Sequence, residues 1–365
     1  MNMKQSQTPA EQNASPDGGT PQEKQKGHVV ALANLSRYRG ELMGAAMLFI
    51  ILFHVNLPRS DMFFGLRRCG NVGVDMFFLL SGIGLWYSWT KRPELWHFFK
   101  NRYLRIYPSW LVMASIYYIS RWMAGGDKFT GSVTDVVLNI LVNWSFWRAD
   151  DLAFWFVPAI MMLYCFAPAY MQLIKKHPVW RWMPALMMVW CVMVQWVQPI
   201  HAAVGHLEIF WSRVPIFFLG INFGEWVKQK REIDGSAVWL LVLTFALTLT
   251  TCVYLEQQLH GRFPLFIERM VYIPLTVSSL LLLVYVFKVL PKGVNAFLRL
   301  LGGVSLEVYL IHLYLVLAPL HKLSLGYWTT ALLTLLISLP LAWLLNRLVK
   351  MLAGLAMGGK KEADG

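Results

Sequence analysis

An all-α, polytopic transmembrane helical bundle is predicted by three observations. The chain of 365 residues is 57% hydrophobic, well above the roughly 45–50% typical of soluble domains. Its apolar residues fall in repeated runs of about 20, the length that crosses a bilayer as a helix. Its charges gather in the short segments between those runs. That placement accounts for the net charge of +13, because basic residues in short loops are the ordinary cytoplasmic bias of membrane proteins. Nucleic-acid binding is therefore not expected. Cys69, Cys165, Cys191 and Cys252 show no paired spacing, so neither a disulfide framework nor a metal centre is expected.

Taken in order, residues 1–34 read as a disordered cytoplasmic tail. The stretch 1–28 is rich in Gln, Pro, Gly, Ser, Glu and Lys and lacks the apolar bulk that would order it. It also lacks the charged-then-apolar pattern of a cleavable signal peptide. The membrane domain covers 35–353 in about ten spans, near 41–57, 72–90, 106–124, 153–174, 180–199, 208–227, 236–255, 268–290, 304–321 and 327–352. The segment 132–147 is shorter and carries Asp135, Asn139 and Asn143, so it reads as interfacial or re-entrant. Its tripeptide Asn143-Trp144-Ser145 fits a glycosylation acceptor, a common and weak pattern. Residues 354–365 form a polar cytoplasmic tail. Lys and Arg concentrate in the loops around 91–105, 175–181, 228–231 and 288–299, which places both termini in the cytoplasm of a multi-pass cell-membrane protein.

Ionisable groups inside such spans mark cavities, partners or substrates. His54 lies toward the outer end of the first span, about 20 Å above Glu41 at 1.5 Å per residue. Asp75 enters the second span from the outer side, and the two are expected at similar depth. A carboxylate beside an imidazole fixes its tautomer and raises its basicity, as a general base requires. The other reading makes His54 an interfacial residue and Asp75 a helix cap. Further on, Leu95, Phe99, Tyr103 and Ile106 recur at helical spacing, with His97, Asn101 and Arg105 on another face, as in a helix lying on the cytoplasmic surface. Arg102 and Arg105 share a face, and paired guanidinium forks grip phosphate oxygens; anchorage to anionic lipid is the competing role.

Several blocks occur along the chain: Leu52-Phe53-His54, Gly73-Val74-Asp75-Met76-Phe77-Phe78-Leu79-Leu80-Ser81-Gly82, Arg102-Tyr103-Leu104-Arg105-Ile106-Tyr107-Pro108, Phe154-Trp155-Phe156-Val157-Pro158, Arg213-Val214-Pro215-Ile216-Phe217-Phe218-Leu219-Gly220 and Gly302-Gly303-Val304-Ser305 followed by Tyr309-Leu310-Ile311-His312. In that order, over roughly 35–350, they resemble the membrane acyltransferase-3 family. The resemblance implies transfer of an acyl group, usually acetyl from cytosolic acetyl-CoA or another acyl-CoA, to a hydroxyl of a cell-surface or lipid-linked glycan. His54 matches the family's essential histidine, and Arg102 and Arg105 its donor-handling Arg-x-x-Arg. The family commonly has an arginine eleven residues before the histidine; here that position is Met43. Arg39, one turn earlier, is placed to supply the charge from the same face.

Four weaker candidates complete the expected site. Arg213 lies in an apolar run, with Asp75 or Glu208 as a partner and oxyanion stabilisation as a role. Glu307 and His312 share a span without sharing a face. Ser81 is a nucleophile or, with Gly82, a close-packing element. The expected partners are an acyl-CoA donor, a glycan or lipid-linked sugar acceptor, and membrane lipids. The rival is a polytopic transporter or exporter of a glycan precursor or small molecule, which also uses midplane charge; no two related halves with broken spans are visible in its favour.

Overall fold

Within a bilayer the backbone has no water to bond to, so an apolar chain closes its hydrogen bonds locally and is built helix upon helix. The computed structural model describes residues 30–149, 151–235 and 237–358; tail residues 1–29 and 359–365 lie outside the described residues. A short strand β1 (Val30–Ala31) and one helical turn α1 (Asn34–Arg37) lead into α2 (Arg39–His54). Next come α3 (Phe64–Cys69), α4 (Val72–Lys91), α5 (Leu95–Met123), α6 (Val133–Val142), α7 (Trp144–Ala149) and α8 (Phe156–Lys176). The middle of the chain forms α9 (Met183–Trp196), α10 (Gln198–Val204), α11 (Glu208–Trp211), α12 (Val214–Lys228) and strand β2 (Glu232–Ile233). The last part forms α13 (Ala237–Gln258), α14 (Leu265–Val289), α15 (Lys292–Gly303), α16 (Ser305–Ile311), a π turn (His312–Leu317), α17 (Ala318–His321) and α18 (Tyr327–Gly358).

Among the described residues five helices are long and apolar enough to cross a membrane: Phe64–Lys91, Phe156–Lys176, Ala237–Gln258, Leu265–Val289 and Tyr327–Leu352. Two bent pairs, Pro178–Trp196 with Gln198–Trp211 at 96° and Lys292–Gly303 with Ser305–His321 at 66°, bring the number to seven if each pair is one span. The protein is thus a membrane-embedded helical bundle. Only 6% of the apolar window of α13 and 28% of that of α18 is buried, which marks these two as lipid-facing. By contrast α4 is buried along most of its length. It packs on α12 where a β-carbon at Gly220 would collide with the Leu79 carbonyl; the two backbones touch because glycine leaves the space.

Three local features differ from expectation. Residues 30–34, assigned to the tail, are ordered: Val30 pairs with Ile233 and Ala31 with Glu232 in an antiparallel ladder, and the Leu32 amide donates to the Arg231 carbonyl at 3.0 Å. Val30 and Leu32 are both buried, and burial of their apolar side chains anchors this stretch. The surface helix and the third span are one continuous helix, α5, which runs through Pro108. Proline removes a backbone donor and disfavours helix at the preceding residue. Here side-chain bonds from Tyr107 to the Leu141 carbonyl (3.0 Å) and from Trp110 to the Ile140 carbonyl (2.8 Å) hold that turn against α6.

The third difference is the tripeptide Asn143-Trp144-Ser145 within the segment 132–147. Asn143 adopts φ 52° and turns α6 into α7. Its side chain accepts from Tyr118 at 2.8 Å and donates to the Ala153 carbonyl at 2.8 Å. The amide of the tripeptide is therefore consumed inside the fold, with no exposure left for a glycan.

Candidate active site

His54 ends α2 at the opposite end from Arg39. Its Nδ1 lies 2.9 Å from the Ile50 carbonyl oxygen. A carbonyl only accepts, so Nδ1 carries the hydrogen and Nε2 keeps the lone pair. The same Nδ1 stands 3.2 Å from Nε2 of His312, with the ring centroids 5.0 Å apart. His312 is buried, and its own Nδ1 donates to the carbonyls of Tyr309 (2.8 Å) and Val308 (3.0 Å). That leaves His312 Nε2 as an acceptor facing His54. The π turn begins at His312, a local widening of the helix that recurs at functional sites. An imidazole pair with both tautomers set is the result.

Asp75 does not hold His54, contrary to the expected pairing. Its carboxylate is bonded by Nη1 of Arg213, and Nη2 of Arg213 donates to Asn71 Oδ1 at 3.0 Å. Both charged side chains are buried. The reason is the register of α2 against α4. A β-carbon at Gly70 would meet the Phe49 carbonyl and Phe53 Cβ, and one at Gly73 would meet the Ala46 carbonyl and Ile50. Residues near 70 therefore lie level with His54, whereas Asp75 lies deeper by about 6–12 Å at 1.5 Å per residue. Arg213 initiates α12 rather than sitting inside a span, so its guanidinium reaches the first turn of α4. Its terminal nitrogens are taken by Asp75 and Asn71, and it does not line the cavity described next.

Arg39, Arg102 and Arg105 come together. They line one cavity of about 100 Å³ with Met43, Ser81, Tyr164, Glu307, Tyr309 and Asn346 among its other walls. The Arg39 guanidinium lies against α4 at Gly84, where a β-carbon would stand 3.1–3.3 Å from it. Arg39 and Met43 line the same cavity. Nε of Arg39 and Nε of Arg102 are buried without a hydrogen-bond partner, and among the described residues none of the three forms a salt bridge to a carboxylate. Glu41 is committed to Arg299 at 2.6 Å. Glu307 shares the cavity, but its Oε1 accepts from Ser109 (2.9 Å) and Asn346 (2.9 Å). Glu307 lines the cavity, whereas His312 faces His54. Ser81 also lines the cavity, and no hydrogen bond joins it to either histidine among the described residues.

The cavity extends to Tyr309, whose ring lies 6.0 Å from that of His312. From Arg39 to His54 along α2 is roughly 22 Å at 1.5 Å per residue. Orphaned cationic donors at one end and a base at the other suit a donor with phosphates at one end and a reactive carbonyl on a long arm. Asn71, Asn346 and Tyr309 are contributors that the sequence reading did not single out. A polar Asn346 within an otherwise apolar run is the kind of signal that could have found one of them. Glu256, His260 and Glu268 place ligand-type atoms within 4.8 Å of one another, but Glu256 is already bonded by Arg68 (3.0 Å), His260 (2.9 Å) and Tyr272 (3.2 Å).

A family profile described as an acyltransferase domain, that of the membrane acyltransferase-3 family, matches residues 44–347. No curated protein and no solved structure matches the chain significantly. The profile match covers most of the sequence, including Asp75, Arg102, Arg105 and both histidines, and the chain belongs to the membrane acyltransferase-3 family, an enzyme family of acyl transfer.

Proposed function

We propose that the protein is an O-acyltransferase that takes acyl groups, acetyl by preference, from cytosolic acyl-CoA and places them on a hydroxyl of a cell-surface or lipid-linked glycan. The observation that carries the reading is the cavity of three guanidiniums without salt-bridge partners, within one bundle with an imidazole whose Nε2 is left as acceptor. Arg39, Arg102 and Arg105 hold donor phosphates through charge-assisted bonds. The pantetheine arm runs past Tyr309 toward the histidines. His54 Nε2 removes the proton from the acceptor hydroxyl, and the oxygen attacks the thioester carbonyl carbon. The tetrahedral oxyanion collapses with cleavage of the carbon–sulfur bond. The proton on His54 passes to the departing thiolate, giving an ester and free CoA thiol. His312 accepts from His54 Nδ1 and steadies the imidazolium, the role expected of Asp75.

Ten passes result if α2, α5 and α12 also cross, beside the five long helices and two bent pairs. In support, β1 and β2 pair, so the N-terminal approach and the loop after α12 lie on one side, which we take as cytoplasmic from their Lys and Arg. The test is mass spectrometry of surface glycans from cells bearing the wild type or His54→Ala. Ester groups should vanish in the variant at equal protein level, a loss of about 10²–10⁴-fold in rate for a missing general base. Glycan esters that persist undiminished in His54→Ala sink the reading, whereas transport of an unmodified glycan that depends on the chain would favour the exporter.

A further inference from the structure

A second cavity, of about 620 Å³, shares no wall residue with the arginine cavity. It lies between α2, α3, α13, α14 and α18, against Phe49, Leu52, Phe245, Leu249, Leu275 and Tyr327. A space lined mainly by apolar side chains takes hydrocarbon in preference to water. Its neighbours α13 and α18 are the two lipid-facing helices, so a chain enters sideways from the bilayer.

One wall is cationic. Arg67 lines the cavity, its Nε is buried without a partner, and it makes no salt bridge among the described residues. Its Nη1 donates to the carbonyls of Phe53 (3.0 Å) and Val55 (2.9 Å), the two residues that flank His54. Asp61 also borders the cavity, but its Oδ1 accepts from the Phe63 amide at 2.8 Å. An apolar body with one guanidinium at its edge is complementary to a single anionic head on a long hydrocarbon chain.

We infer that this cavity binds the lipid anchor of the acceptor, a long-chain hydrocarbon phosphate, with the chain among α2, α13 and α14 and the phosphate on Arg67. The inference rests on the acyl-transfer reading and names how the acceptor is presented. The position of Arg67 favours the acceptor's anchor over bulk phospholipid: a sugar joined to a phosphate there starts beside His54. Tyr327 donates to the Leu52 carbonyl at 3.0 Å, which ties α18 to the same stretch of α2 and closes the wall between chain and base.

The full-length protein in lipid nanodiscs is labelled with a diazirine-bearing hexadecyl phosphate, and the cross-linked peptides are mapped. Labelling should fall within 49–52, 245–249 and 275–279. Excess hexadecyl phosphate should compete; hexadecanol, which lacks the charge, should compete about tenfold less well, the weight of one charge-assisted contact, and phosphatidylglycerol, a two-chain lipid, should also compete less well. Arg67→Gln should lower labelling by about tenfold. Because Arg67 also holds the backbone around His54, Leu249→Trp serves as a second variant that narrows the hydrocarbon space without touching the guanidinium, and it should lower labelling too. Equal competition by phosphatidylglycerol, equal competition by hexadecanol, or labelling indifferent to Leu249→Trp each overturns the inference. Labelling is read in His54→Ala as well, where no turnover is needed. Labelling that survives while wild type acylates no glycan defeats only the acyl-transfer reading; acylation without specific labelling defeats only the anchor site.

Discussion

At the start of α4, Asp75 is matched by Arg213, whose second nitrogen is held by Asn71. About two turns along the same helix, Ser81 and Gly84 face Arg39, Arg102 and Arg105, whose charges have no salt bridge among the described residues. In the first cluster the charges are matched: the carboxylate and the amide each bond one terminal nitrogen of the guanidinium away from solvent, and only Nε of Arg213 is left without a partner. The second is incomplete in the same environment. Buried charge is tolerated when it is paired, so the matched cluster reads as architecture and the unmatched one as a place made for an anion.

The sharpest way to break this contrast is to remove one partner from each cluster. Asp75→Ala leaves Arg213 buried and unpaired and should cost about 3–5 kcal/mol, read as a large fall in the thermal midpoint of the purified protein. Arg102→Ala removes a charge that has no salt bridge among the described residues and rests only against the Phe98 ring, 5.8 Å away, so its midpoint should change little. A comparable fall in both variants would erase the distinction between architecture and binding.

Next in size is the effect at the histidine pair, which separates positioning from packing. His312→Ala should lower kcat by about a hundredfold with the KM for acyl-CoA unchanged, and His312→Gln, which retains an acceptor for His54 Nδ1, should recover part of it. The double change with His54→Ala should be hardly worse than His54→Ala alone, because groups acting as a unit are non-additive. Losses that multiply, or a glutamine no better than alanine, would leave His312 as a packing residue.

The smallest expected effect sharpens the cationic side. Arg102→Lys keeps the charge but loses the planar fork, and the KM for acyl-CoA should rise about tenfold at unchanged kcat and thermal midpoint. If neither Arg102→Lys nor Arg105→Ala changes donor affinity, the pair serves only to anchor the protein to anionic lipid.

The helical class, the singling out of His54 and the shared face of Arg102 and Arg105 were legible because each depends on local signals: apolar run length, an ionisable group in an apolar stretch, and i to i+3 spacing. Arg39 joined them only through the family resemblance, as the charge nearest the family arginine that is absent at Met43. Asp75 was one of the two carboxylates expected for Arg213, but its separation from His54 was not legible, because the depth of Asp75 relative to His54 depends on which residues of α2 meet Gly70 and Gly73, a register that no single helix encodes. Arg213 was half legible: its need for a carboxylate followed from its apolar surroundings, but its place at a helix start did not. The π turn that presents His312 and the continuity of α5 through Pro108 are tertiary effects that override local preference. Asn71 and Asn346 matter only through what they touch.

The pairing of β1 with β2 sets an order of events during synthesis. β1 is made first, yet its partner strand does not exist until α12 has been made. The N-terminal approach to α2 must therefore wait unclasped while the helices from α2 to α12 are laid down, and the clasp closes only as α13 follows. Once closed, it ties the entrance of the helix that bears Arg39 and His54 to the exit of the helix that Arg213 begins.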